Sequence, residues 1–73
     1  MRYLAMKIIK IQMKNNIPNL FYKVMPELQY HRVPSKTFLS EGVMEIKPYN
    51  KATLEAMRQA LFRLGASYTE VEE

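Results

Sequence analysis

The sequence predicts a small α+β domain: a mostly antiparallel β-sheet packed on one face by a single C-terminal α-helix over about residues 51–64. Three observations lead there. Residues 7–14 alternate, with Ile9, Ile11 and Met13 on one side and Lys10, Gln12 and Lys14 on the other, the period of a half-buried strand. Near the C-terminus, Leu54, Met57, Leu61 and Leu64 recur at helical spacing, joined by Ala60, and form one apolar stripe. The two glycines and four prolines fall where elements should end.

Taken in order, the first strand is favoured over a helix by the β-branched Ile8, Ile9 and Ile11, while Leu4, Met6 and Ile8 carry apolar character to its other face. Asn15-Asn16-Ile17-Pro18-Asn19 supplies turn chemistry, so residues 20–25 read as a second strand returning in a hairpin, closed by Pro26. Residues 28–33 read as extended chain, with one helical turn after Pro26 as the competing assignment. Residues 37–39 and 43–47 flank Ser40-Glu41-Gly42 as a second hairpin, in which Met44 and Ile46 face inward and Pro48 closes the strand.

Asn50 is a favoured N-cap, and Tyr49 and Leu54 occupy the positions of a hydrophobic staple. Gly65 is the helix stop. Residues 67–71 then form either a short final strand or a frayed, acidic tail.

At 73 residues the chain is a single domain with a thin core, since a chain this short hides only about 60% of its unfolded surface. It has no cysteine, which excludes disulfides and thiolate metal sites and permits a reducing cytoplasm. Lys7, Lys10 and Lys14 interrupt the one apolar segment near the start, so neither a membrane span nor a signal peptide is expected.

Charge is uneven. Residues 1–40 carry Arg2, Lys7, Lys10, Lys14, Lys23, Arg32 and Lys36 against Glu27 alone, a net of +6. Residues 41–73 carry Lys47, Lys51, Arg58 and Arg63 against Glu41, Glu45, Glu55, Glu70, Glu72 and Glu73, a net of −2. A basic half attracts phosphates or an acidic protein surface through a pull that salt screens.

Catalysis is not expected, because aspartate and cysteine are absent and no glycine-rich phosphate loop is present. No cofactor and no metal site are expected either. The one constellation left for an enzyme is Tyr30-His31-Arg32 with Lys36, in which His31 acts as base and a cation stabilises a phosphorane, as in a metal-independent ribonuclease.

Two binding surfaces stand ahead of it. On the helix, Phe62 lies off the apolar stripe beside Lys51, Glu55 and Arg58, the residue types of a protein-binding hot spot. On the sheet, Lys10, Lys14, Tyr22, Tyr30, Arg32 and Lys36 make a candidate surface for RNA or DNA, amines holding phosphates and rings stacking on bases. An acidic tail of Glu70, Glu72 and Glu73 could fold back and mute the lysines.

The expectation is therefore a non-catalytic interaction protein that docks on a larger protein, as a modulator or inhibitor of a nucleic-acid-handling complex. Direct nucleic-acid binding is the alternative and ribonuclease activity the third. Small lysine- and asparagine-rich chains of this kind are often encoded by phages or other mobile elements, an association rather than a derivation. An exposed edge strand also allows a homodimer.

Overall fold

In the computed structural model, which describes residues 7–72, the alternation of the first segment becomes β1 (Lys7–Gln12), with Ile9 and Ile11 fully buried and Lys10 and Gln12 exposed. Leu4, Met6 and Glu73 lie outside the described residues. Five further elements follow: α1 (Leu20–His31), β2 (Ser35–Phe38), β3 (Val43–Ile46), α2 (Lys51–Leu64) and β4 (Thr69–Glu72).

The strands form one antiparallel sheet in the order β2-β3-β1-β4, with Ile9 opposite Ile46 on one side and Glu70 on the other. β3 separates β1 from β2, and β1 separates β3 from β4, while β2 and β3 are direct neighbours, the β-α-β-β-α-β connectivity of ferredoxin-like domains. Directly opposed residues share a face. One face therefore carries Ile9, Ile11, Met44 and Ile46 into the core, whereas Ile8, Lys10, Gln12, Lys36, Phe38, Val43, Glu45, Thr69 and Val71 share the other.

The expected hairpin between β1 and residues 20–25 does not form; β1 pairs with β3 and β4 instead. Residues 20–25 begin a helix, so two helices, not one, cover the sheet. Leu20, Val24 and Leu28 are buried at four-residue spacing, and that stripe outweighs strand propensity. Pro26 sits inside the helix, where it removes the bond to the Tyr22 carbonyl. Both residues lie on the exposed side of the helix.

The extended reading of residues 28–33 is corrected as well. Leu28–His31 is the last turn of α1, and Arg32 ends it in the left-handed conformation at φ 56°. The N–H of Arg32 donates to the Gln29 carbonyl and that of Val33 to the Leu28 carbonyl, a Schellman closure with Val33 and Leu28 both buried. The second helix ends in the same way at Gly65, where the Ala66 N–H donates to the Leu61 carbonyl. One closure uses glycine and the other an arginine.

The hairpin of β2 and β3, the inward Met44 and Ile46 and the helix over residues 51–64 match the sequence reading, and of its two alternatives for the C-terminal segment the short strand is the one that forms. At the start of α2 the Thr53 N–H donates to Asn50 Oδ1 (2.8 Å), and the Asn50 N–H donates to Thr53 Oγ1 (3.1 Å), a closed capping box. Leu54 is buried, but Tyr49 is more than half exposed, and its hydroxyl donates to the His31 carbonyl (3.2 Å). Tyr49 thereby ties the start of α2 to the end of α1.

The core joins Ile9, Ile11, Met44 and Ile46 of the sheet to Leu20, Val24 and Leu28 of α1 and to Leu54, Met57 and Leu61 of α2. The Asn16 amide clamps two loops beside it. Its Nδ2 donates to the Gln12 and Ser67 carbonyls, and its Oδ1 accepts from the N–H groups of Ile17 and Ser67. No helix among the described residues is long and apolar enough to cross a membrane.

Two substitutions test the helix ends by urea denaturation. Asn50→Ala lowers the unfolding free energy by about 1 kcal/mol through loss of the cap. Gly65→Ala costs about 1 kcal/mol through the left-handed backbone alone, since a Cβ there meets open space.

Candidate partner-binding site

The outer face of α2 follows from its inner one. With Leu54, Met57 and Leu61 turned to the core, the line Lys51, Glu55, Arg58 and Phe62 is carried round toward solvent, and Phe62 is 84% exposed. It is not an edge of the core. Lys51 heads the same line, about 16 Å away at 1.5 Å of rise per residue.

Arg58 is engaged by its neighbours. Its Nε and Nη2 donate to the two carboxylate oxygens of Glu70 on β4, each at 2.7 Å, and its Nη1 donates to Glu55. Glu70 also lies 3.9 Å from Lys7. The bidentate hydrogen bonds raise the Arg58 pKa and hold the Glu70 carboxyl below the usual carboxylate range. Part of the acidic C-terminal segment therefore does fold onto basic groups, with Arg58 as its principal partner, while Glu72 stands opposite Lys7 in the register.

Arg63 is the more available guanidinium. Its side chain is 60% exposed, and among the described residues it makes one ion pair, from Nη2 to Glu27 of α1 at 3.4 Å. It borders two shallow grooves of about 410 Å³ each. The first is lined by Arg58, Gln59, Phe62 and Tyr68, and the second by Pro26, Glu27, Tyr30 and His31. Tyr30 is 81% exposed and packs edge-on against the His31 ring at 4.9 Å between centroids. Two exposed rings thus flank one arginine across the junction of the helices.

Sequence reasoning passed over Arg63. Its position one residue after Phe62 carried no sign of α1, which the strand assignment had removed from that neighbourhood.

The proposed RNA or DNA surface is not brought together. Lys10 and Lys36 lie on the open face of the sheet, whereas Tyr22 and Tyr30 lie on α1 and Arg32 at its end, in the helix layer. Lys14 follows β1 and lines an open groove of about 500 Å³ with Lys10 and Glu41. Lys10 Nζ is 3.6 Å from Glu45, its cross-strand neighbour. Of the ribonuclease constellation, Lys36 lies on the open face of the sheet, apart from His31, while Tyr30 and Arg32 remain beside His31 at the end of α1. His31 instead faces Glu27, at 3.9 Å.

The Arg58–Glu70 pair has a pH signature. Glu70 has a folded pKa below its unfolded one, so its contribution is complete above the unfolded value and is lost as pH falls through the folded value. Urea unfolding of the native chain and of Glu70→Gln, repeated from neutral pH into acid, is expected to show the variant less stable at neutral pH and the gap closing in acid.

Compared with known proteins, the chain matches no family model, no curated protein and no solved structure.

Proposed function

We propose that this chain is a non-catalytic interaction protein that docks through its helix layer on an acidic surface of a larger protein. The observation that carries the reading is the row Phe62, Arg63 and Tyr30. These are two exposed rings and an exposed guanidinium, each bordering a groove, the residue types enriched where binding energy concentrates.

Charge selects the partner's chemistry. Among the described residues, Lys23, Arg32 and Lys51 of the helix layer make no ion pair, while its acids Glu27 and Glu55 are both engaged by arginines. An acidic partner meets unopposed cations there, which speeds encounter and orients docking. Modulation or inhibition of a nucleic-acid-handling complex fits this chemistry where the complex offers an acidic face, because its nucleic-acid-binding surfaces are themselves basic and repel these cations.

The open sheet face supports the protein reading over base recognition. Its central strands present Ile8, Lys10, Gln12, Val43 and Glu45, without a ring on which a base can stack. Phe38, on the neighbouring β2, is half-buried.

Capture of a host protein on the immobilised chain, with and without nuclease, tests the proposal when combined with Phe62→Ala and Tyr30→Ala. Both rings are exposed, so each variant is expected to keep its stability to within about 0.5 kcal/mol. Each is expected to weaken binding of the purified partner by a factor of about 30, the cost of losing a hot-spot ring. Retention that disappears with nuclease, or that survives both substitutions, would overturn the reading.

A further inference from the structure

We propose that two copies of this chain pair along β2 to form a continuous eight-stranded antiparallel sheet centred on Thr37. The sheet has two edges, β2 and β4, and they differ in what self-pairing does. Around a twofold axis at Val71, β4 sets Glu70 against the partner's Glu72, an acid against an acid on both sides of the axis. Arg58 already opposes the Glu70 charge, so like charge protects that edge in part, through Glu72.

The β2 edge is self-complementary. The Lys47 N–H donates to the Pro34 carbonyl at 2.9 Å, which fixes positions 34 and 47 as a bonded pair. Alternation along an antiparallel ladder then turns Lys36 and Phe38 toward β3 and leaves the N–H and C=O of Ser35 and Thr37 pointing outward.

With the twofold axis at Thr37, each Thr37 N–H donates to the carbonyl of the partner's Thr37. The same register lays Lys36 beside the partner's Phe38 on the open face, an ammonium against a ring. It also carries Leu39, 82% exposed at the end of β2, to the start of the partner's β2. Moving the axis to Lys36 would oppose two lysines, which counts against that register, while the axis at Thr37 is the one that adds the ammonium–ring contact.

Homodimerisation uses neither the helix grooves nor Arg63, and it stands independently of the docking surface there. It also supplements a thin core, because association stabilises a folded state by mass action.

Sedimentation from the micromolar to the millimolar range is expected to show the average mass rising toward twice the chain mass. Thr37→Pro removes an outward N–H and no bond of the β2–β3 ladder, a position where an edge strand tolerates proline. It is expected to remain monomeric across that range with native circular dichroism. The chain has no cysteine of its own, so Thr37→Cys provides a second, unambiguous measurement. Its Cα atoms would stand about 5.5 Å apart across the axis, within disulfide reach, and oxidation is expected to yield a covalent dimer that Val71→Cys does not give. A native chain that stays monomeric at millimolar concentration would overturn the proposal. So would a Thr37→Pro variant that dimerises like the native chain, or a Thr37→Cys variant that fails to cross-link. Should Thr37→Pro not fold, the cross-linking result decides.

Discussion

Strand β1 is the constraint on which the rest of the molecule depends. Ile9 and Ile11 are buried against both helices, and the backbone of β1 pairs at once with β3 and with β4. Without it the C-terminal strand has no neighbour, and the hairpin of β2 and β3 faces the helices with half a sheet. One strand of six residues thus joins the two ends of the described chain. Strand pairing between distant segments carries a loop-closure entropy cost before it yields stabilising contacts, so β4 is the natural candidate for the last strand to dock.

Legibility in the sequence tracked whether an element announces its own ends. Helix α2 has a side-chain cap at Asn50, a reciprocal partner at Thr53 and a glycine at its stop, and its bounds could be read residue by residue. Helix α1 has none of these. Its N-cap, Asn19, lies in the left-handed region and makes no side-chain cap, Pro26 interrupts the bonding pattern, and Arg32 stands where a glycine would have signalled the end. What makes it helical is tertiary: Leu20, Val24 and Leu28 meet a sheet that local sequence cannot reveal. Propensity lost to burial there, and the false hairpin followed from the same error.

The candidate site was readable in part for a related reason. Phe62 could be placed on the outer face because its helix was correctly assigned, and its exposure agrees with that placement. The choice of arginine was another matter. Arg58 shares the helix line of Phe62, but it donates three hydrogen bonds to two glutamates, and one of these, Glu70, lies on a strand whose existence the sequence left open. Its guanidinium organises the groove wall and fastens β4 to α2. Arg63 gains its importance from Tyr30 and Glu27, residues of a helix that had been read as strand and extended chain.

The Asn16 clamp carries a chemical vulnerability. Its side chain donates at one end and accepts at the other, holding the β1–α1 loop to Ser67 across a separation of 51 residues. Only an amide of that length does both. Hydrolytic deamidation would replace the donating nitrogen with a charged oxygen, setting a carboxylate against the Gln12 and Ser67 carbonyls it once bound. Ageing at this one side chain would loosen the loop that delivers β4 to the sheet, and covalent damage of a single atom would be read out as the fraying of an edge.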